Sequence, residues 1–448
     1  MYQPSEKLSV ALKDTRGPRY GRSMVVTPWG DASELRTRKM RPGGGSKDAR
    51  TAISQRERLF GAMVATVAEK GYEATTVADV SELSGVSKSS YYEHFKDKQD
   101  CFLAMATAIF GPALEYAGSA GLGGTEEQAR TAFESSLQRI AAQPAAAKAC
   151  LVEIYAAGPE AAALLDSTVD GVERLVTETL ERIPERQEMP REIVRAQIGG
   201  VQKVIYKRLL RGEESELPAL APELWQWMLS VPPPPQRLRA RRTRSVKSLS
   251  FEERQQPSTP AERLLRALAA VVSEKGYRET KIADVVERAR TSQRTFYEHF
   301  EGKEDAMVAA LDSGSSQMLA AALPAFRRGG SWQRAVHDTQ EAMLHFAAEE
   351  PEYGRLGAVE MYGAGTRALE QREMVTEGME GLLMPGYEIA PGVPPIAAEA
   401  IGGALYALLY DFVKEKGPGR LLELVPTFVY VTLAPFLGAE DAYETAVG

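Results

Sequence analysis

Apolar positions recur at helical spacing through most of the chain. In 51–70, Ile53, Phe60, Met63, Val64 and Val67 fall on one face at a period of 3.6 residues, and Leu264, Leu265, Leu268, Val271 and Val272 repeat that stripe later. Gly71 and Gly276 follow the two stripes, at the place where a helix ending favours glycine. Thr75-Thr76 then offers hydroxyls to cap a second helix that turns Val77, Val80 and Leu83 inward. Gly85, within Leu-Ser-Gly-Val-Ser at 83–87, permits a backbone turn that bulkier residues resist. Ser87 can cap a third helix running through Tyr91, Tyr92 and Phe95. Helix, short glycine turn, helix is a helix-turn-helix unit, whose second helix is sized for the DNA major groove. No alternating strand pattern of any length appears, so the expected fold class is all-α.

The same phrases occur twice. EKGYEATTVADV at 69–80 answers EKGYRETKIADV at 274–285, and SSYYEHFKDK at 89–98 answers RTFYEHFEGK at 294–303. VEIYAAG at 152–158 answers VEMYGAG at 359–365, and IGGVQKVIY at 198–206 answers IGGALYALL at 401–409. The offset stays at 203–207, far longer than the roughly 20–50-residue period of a solenoid. It marks a duplicated domain pair. The polar segment 1–50, with Gly43-Gly44-Gly45 near its end, is expected to be a disordered basic tail. Residues 231–259 open with VPPPPQRLRARRTRS and read as a Pro/Arg-rich linker. The remaining boundaries are reading units at 51–104 and 260–309, each followed by a helical regulatory domain at 105–230 and 310–448.

Bulk properties change this picture little. The chain has 448 residues, enough for two to four domains at roughly 100–200 residues each. Its net charge of -7 gives no global pull toward nucleic acid, so charge placement matters more than charge sum. Cys101 and Cys150 are too few for a disulfide framework and are expected in apolar surroundings. The N-terminus lacks the apolar stretch of a signal peptide. The longest apolar runs, near 401–413 and 424–437, fall short of the ~18–20 residues of a membrane span, so a cytoplasmic protein without a membrane partner is expected.

The run TTVADVSELSGVSKSSYYEHFKDKQD at 75–100 resembles the DNA-binding domain of TetR-family transcription regulators. The family pattern is a Thr-initiated helix, a Gly-Val-Ser turn, and Tyr-x-His-Phe-x-x-Lys. Gly71, Thr76, Gly85, Val86, Ser87, Tyr92, His94, Phe95 and Lys98 match it. The second copy matches at Gly276, Thr280, Ser292, Tyr297, His299, Phe300, Lys303 and Glu304. It departs at Arg290, where glycine is usual in the turn, and at Lys281, which replaces the helix-starting threonine. The resemblance covers about 50 residues of each half.

It implies a ligand-binding and dimerisation domain after each motif. The last two helices of two such domains usually form a four-helix bundle, here from 194–211 with 219–230 and from 397–416 with 421–437. Gly199-Gly200 and Gly402-Gly403 then allow close backbone approach; otherwise they only weaken their helices, by about 1 kcal/mol each. A chain holding both halves is expected to be an intramolecular pseudo-dimer, with an effective concentration in the millimolar range. Half-sites lie roughly 34–36 Å apart or some multiple of that. The 29-residue linker spans roughly 30 Å as a coil.

The resemblance places Thr76, Tyr92, His94 and Lys98, with Lys281, Tyr297, His299 and Lys303, against DNA phosphates. Base readers lie early on each reading helix: Lys88, Ser89 and Ser90 after Ser87, and Gln293, Arg294 and Thr295 after Ser292. Gln pairs bidentately with adenine and Arg with guanine, whereas serines read little, so unequal half-sites are expected. Tyr91 and Phe296 are expected to pack. Basic arms precede both units: Arg36, Arg38, Lys39 and Arg41, then Arg237, Arg239, Arg241, Arg242, Arg244 and Lys247. Such arms either enter the minor groove or serve as solvated linkers.

A small-molecule effector is the second expected partner, with Tyr155, Met343, Phe346, Met361 and Tyr362 as pocket residues; the alternative for such a stripe is ordinary core. Glu153 and Glu360 either orient a ligand or satisfy a local hydrogen bond. His337, Glu341 and His345 recur every four residues, a spacing that can hold zinc, but the first half has no counterpart. No Ser-His-Asp set, phosphate-cradling glycine loop or CxxC pair appears, so neither an enzyme nor a cofactor is expected. Two other assemblies fit the same sequence. Two chains could pair to present four reading units, or the chain could be a small-molecule sensor or scaffold whose second reading unit has decayed.

Overall fold

The computed structural model describes residues 25–36, 47–239, 259–327 and 330–448. The first half runs α1 (Lys47–Lys70), α2 (Val77–Ser84), α3 (Lys88–His94), α4 (Lys98–Ser119), α5 (Glu126–Ala142), α6 (Pro144–Leu151), α7 (Pro159–Leu180), α8 (Arg191–Arg211) and α9 (Leu217–Ser230). The second half repeats the order. Its helices are α10 (Pro260–Lys275), α11 (Ile282–Arg288), α12 (Gln293–His299), α13 (Lys303–Arg327), α14 (Trp332–Glu349), α15 (Pro351–Ala358), α16 (Thr366–Glu380), α17 (Met384–Ile389), α18 (Ala397–Lys416), α19 (Val425–Leu437) and α20 (Ala439–Val447). The architecture is all-α apart from one short hairpin, β1 (Val26–Thr27) against β2 (Gly30–Asp31).

That hairpin corrects the expectation of a disordered tail through residue 50. Residues 25–36 are folded because three apolar side chains have somewhere to go. Trp29 packs on Phe60 at 5.2 Å, Ala32 is buried, and Leu35 is buried against α1, where Gly61 leaves it room. The proposed linker also begins later than its prolines suggest. Val231 is fully buried, and Pro232 accepts a hydrogen bond from Tyr430 Oη at 3.0 Å.

Each reading unit has its own core. Met63, Val67, Val80, Tyr91, Phe95 and Phe102 share one cluster, and Leu268, Val285, Phe296, Phe300 and Met307 form its counterpart. Cys101 and Cys150 are buried in the first, and burial pushes both thiols up to about 12, so they stay protonated and act as apolar filler. The third cluster belongs to neither half alone: Val201, Val204 and Trp227 pack there with Ile401, Ala404, Phe428 and Tyr430.

Helices α8 and α18 run through that shared core and touch backbone to backbone. A Cβ on Gly403 would lie 2.8 Å from Gly199 O and 3.1 Å from Gly200 Cα, and one on Gly200 would lie 2.6 Å from Ala400 O. One on Gly199 would overlap the Ala407 methyl. These glycines therefore permit contact, beyond any loss of helix stability. Ion pairs flank the contact on both sides. Arg195 meets Asp411 at 2.8 Å, Arg208 meets Glu399 at 3.0 Å, and Lys207 meets Glu377 at 3.1 Å. Truncating one partner of a buried pair leaves an uncompensated charge, so the pairs penalise any slip of register.

Two described segments, Lys98–Ser119 and Pro418–Leu437, are long and apolar enough to cross a membrane by length and composition, contrary to the expectation that no run is long enough. The second is mostly buried inside the protein, and the first lines the cavity described below.

Gly403→Val should lower unfolding stability by at least about 2 kcal/mol, because the added methyls have no space at the seam. Gly378→Ala, an exposed helical position with nothing within 4 Å, should instead raise it by up to about 1 kcal/mol. Urea midpoints of the two variants against the parent chain measure both.

Candidate nucleic-acid interface and effector cavity

Local chemistry builds the first reading unit. Thr76 Oγ1 accepts from Asp79 N at 3.2 Å while Asp79 Oδ2 accepts from Thr76 N at 2.8 Å, a reciprocal cap that starts α2. Lys70 donates to Asp79 and, with Thr76, holds its carboxyl down to about 2. Gly85 ends α2 at φ +68°. Ser87 Oγ then accepts from Ser90 N at 3.1 Å and opens α3.

The second unit reaches the same shape with poorer parts. Asp284 Oδ2 accepts from Lys281 N at 3.1 Å, but a lysine has no acceptor to return the bond. Arg290 takes the turn at φ +51°, the one positive φ among described non-glycine residues. Thr291 N still reaches Val286 O at 3.0 Å, and Ser292 caps α12 through Thr295 N at 3.1 Å. The helix-turn-helix geometry is thus retained at the cost of local strain. In the first unit the same site is crowded as well, since an added Cβ on Gly85 would lie 3.0 Å from Arg36 Cγ.

The base-reading positions Lys88, Ser89, Gln293 and Arg294 are exposed, and Ser90 and Thr295 are half-buried. Arg294 pairs with Glu298 at 3.0 Å one turn on, at an arginine side-chain exposure of 89%, so a base edge can displace a weak partner. Tyr92 and Tyr297 stand out at 59% and 58% exposure, on the same face of pseudo-equivalent helices, while Tyr91 and Phe296 are buried. His94 Nε2 lies 3.0 Å from Gln55 Oε1, and His299 is exposed. Arg36, Arg237 and Arg239 are described and exposed or nearly so; Arg38, Lys39, Arg41, Arg241, Arg242, Arg244 and Lys247 lie outside the described residues.

Lys98 and Lys303 do not reach outward as free cations. Lys98 Nζ donates to Tyr72 O at 2.8 Å and sits 4.1 Å over the Tyr72 ring. Lys303 Nζ donates to Tyr277 O at 2.8 Å and Thr280 O at 3.1 Å, 4.3 Å over the Tyr277 ring. The loop before α2 and α11 presents carbonyls with no helical partner, and an ammonium satisfies several at once. Burial lowers both ammonium groups below the ordinary lysine value; at each, Glu73 works against the shift and Arg278 adds to it. Glu73 and Arg278 are pseudo-equivalents, so the two loops lie within electrostatic reach of one another.

The carboxylates left open by the sequence connect these loops to the regulatory helices. Glu153 Oε2 accepts from Tyr72 N at 2.9 Å, and Glu360 accepts from the Tyr277 backbone and from Arg355. Burial raises the Glu360 carboxyl, with Arg355 opposing. Two residues further along each 3-10 turn, Tyr155 and Tyr362 meet across the seam at 4.5 Å between ring centroids.

Beside that ring pair opens a cavity of about 720 Å³, walled by the helices of the first half and closed by Tyr362, Arg372, Tyr406 and Tyr410 of the second. The equivalent space in the second half is only about 50 Å³. Elsewhere in the second half Trp332 and Tyr387 pack edge-on against Phe436 at 5.5 and 5.2 Å. Tyr155 and Tyr362 line the large cavity; the other three expected pocket residues do not. Met343 and Phe346 sit half-buried on α14, and Met361 is buried in the second reading unit's core. The four-residue spacing of His337, Glu341 and His345 does not become one cluster. His337, Asp338 and Glu341 bring ligand atoms within 4.8 Å, but His345 turns to Glu349 at 3.2 Å. The residues that sequence reasoning missed are Lys203, Tyr206, Arg372 and Tyr406. Their signal was a lysine at the middle of a predicted seam helix.

The family model of bacterial regulatory proteins, tetR family, matches residues 62–105 and 264–310. Among solved structures, the fatty acid degradation regulator FadR from Bacillus halodurans aligns at 19% identity and a TM-score of 0.35, covering 39% of this chain and 97% of its own. FadR from Bacillus subtilis, solved in complex with stearoyl-CoA, aligns at 14% and 0.34, covering 40% and 98%. The TetR-family regulator PfmR from Thermus thermophilus aligns at 22% and 0.33, covering 41% and 98%. Comparison with curated proteins gave no match. The tetR-family model thus matches the chain twice, once in each half, and over those two stretches the chain is TetR-like in tandem form.

Arg290→Gly should raise stability by about 1 kcal/mol, since glycine relieves the left-handed strain and gives back part of the gain in unfolded-chain entropy. Gly85→Arg should lower it by more, because Arg36 also occupies the space. Thermal unfolding of both variants checks the pair.

Proposed function

We propose that one chain acts as a ligand-responsive repressor in the cytoplasm, gripping a single operator as an intramolecular pseudo-dimer. The observation that carries this reading is that two exposed reading helices, α3 and α12, belong to halves that share one core along α8 and α18. Reading units at 51–104 and 260–309 then take the place of the two subunits of a homodimer. Tyr92, Tyr297, His94, His299, Thr76 and Lys281 contact phosphates, and Lys98 and Lys303 support them from behind by fixing the loop carbonyls. Ser87 and Ser292 cap the reading helices, whose N-terminal turns present Lys88, Ser89 and Ser90 on one side and Gln293, Arg294 and Thr295 on the other. The operator is an imperfect palindrome with the Gln293/Arg294 half-site more discriminating. The preserved turn at Arg290 supports a working second unit over a decayed one.

The effector enters the large cavity of the first half. A molecule pressing on Tyr155 moves a 3-10 turn that also carries Glu153, and Glu153 holds the loop before α2. Ligand and DNA thus bias the same element, which is the requirement for coupling.

Selection of bound DNA from a random pool tests the reading. Two adjacent half-sites of unequal information content are expected, and a symmetric operator contradicts it. Arg294→Ala should weaken binding by roughly 1–3 kcal/mol and relax preference at one position. Loss of DNA binding by neither Arg294→Ala nor Lys88→Ala would favour the scaffold reading.

A further inference from the structure

The large cavity is apolar over most of its wall; away from the seam Arg139 lies over Tyr116 and Arg186 donates to the Val231 and Leu229 carbonyls, and at the seam Lys203 and Arg372 stand together. Leu137, Ile140, Ala147, Leu165, Val169 and Val172 represent the apolar part. At the seam end, Lys203 and Arg372 both lie against a single carboxylate, Glu373. Arg372 donates to Glu373 Oε1 from Nη2 at 2.8 Å and from Nε at 3.1 Å. Lys203 Nζ lies 3.3 Å from Glu373 Oε2 without forming a hydrogen bond. Lys203 and Arg372 are only 6% and 8% exposed, yet both line the cavity. Tyr206 Oη, also buried and on the wall, has no hydrogen-bond partner among the described residues. The other ionic groups of the wall near the seam are already matched: Asp166 with Lys414 and Asp411 with Arg195.

The carboxylates that act on these cations, Glu373 on both and Glu380 on Lys203, do not line the cavity, so the wall itself presents the positive groups, and a buried ammonium with no hydrogen bond is costly to leave unmet. Tyr206, Tyr362 and Tyr406 surround the Arg372 guanidinium at 4.9, 5.3 and 5.6 Å. Between the corresponding helices of the second half, Val336, Gln340, Thr376 and Thr432 leave about 50 Å³.

We infer that the chain binds one amphipathic anion, its tail in the first-half cavity and its headgroup reaching across the seam to Lys203 and Arg372. The inference rests on the ligand-responsive reading above and specifies its ligand. One molecule per chain is expected from the contrast between about 720 Å³ in the first half and about 50 Å³ between the corresponding helices of the second. The headgroup site draws Lys203 from one half and Arg372 from the other, so neither half alone completes it.

Isothermal titration calorimetry on the full chain without DNA tests this with four probes of equal tail: decanoate, decyl phosphate, decanol and decyltrimethylammonium. We expect one site per chain. At least one of the two anions should bind at least about tenfold more tightly than decanol, and the cation more weakly still; the tighter anion identifies carboxylate or phosphate. Lengthening the tail should tighten binding by up to about fourfold per methylene until the cavity is full. Lys203→Met should abolish the preference for the anion while leaving decanol binding intact, which separates a lost headgroup contact from a misfolded cavity. Should that variant not fold, the headgroup order on the parent chain decides. Equal binding of decanol and the anions, tighter binding of the cation, two sites per chain, no binding of any probe, or an unchanged anion preference in Lys203→Met overturns the inference. DNA selection on the same chain is independent of these outcomes, so failure here is distinguishable from failure of the regulator reading.

Discussion

Contact between the backbones of α8 and α18, at Gly199-Gly200 and Gly403, is the constraint on which the rest of this structure depends. Side chains larger than hydrogen at these points would hold the helices apart. With the helices together, Val201, Val204 and Trp227 reach Ile401, Ala404 and Phe428, and a single apolar core spans both halves. The charges then fall into place around it, with Arg195, Lys207 and Arg208 on one helix and Asp411, Glu399 and Glu377 on or beside the other. The cavity depends on the same contact, since its far wall belongs to the opposite half.

Duplication followed by divergence has given the halves separate tasks. The first keeps the better-formed reading turn, with Gly85 and the Thr76 cap, and it keeps an open cavity. The second carries Arg290 in a left-handed turn and leaves about 50 Å³ between the corresponding helices, while its reading helix opens with Gln293 and Arg294. The carboxylates Glu153 and Glu360 survive in both and tie each reading unit to a tyrosine at the seam. That arrangement joins three sites, the cavity, the seam and the reading units, through two short 3-10 turns.

Much of this was legible in the residues, and the failures have physical causes. The duplicated phrases gave the helix order, the two reading units and the seam glycines, because glycine pairs inside an apolar helical stripe have few other uses. Tyr91 and Phe296 fell on the inward face of a short helix and pack as read. The carbonyl bonds of Lys98 and Lys303 were not legible, for nothing local announces that loop carbonyls 26 residues upstream will take up the ammonium. The hairpin at 26–31 was missed since two-residue strands carry no alternation, and Trp29 and Leu35 had no visible partner in sequence. Met343, Phe346 and Met361 look no different from Tyr155 and Tyr362 along the chain. What separates them is tertiary: Met361 is buried in the second reading unit's core, whereas Tyr155 and Tyr362 meet at the seam beside the cavity.

In the proposed reading one chain, folded on itself along α8 and α18, grips the operator alone. The decisive experiment is mass measurement of the chain bound to its selected operator at nanomolar concentration. A complex of one chain and one duplex is expected across the whole concentration range in which binding is seen. A complex that forms only with two chains, or a single chain protecting only one half-site, contradicts it.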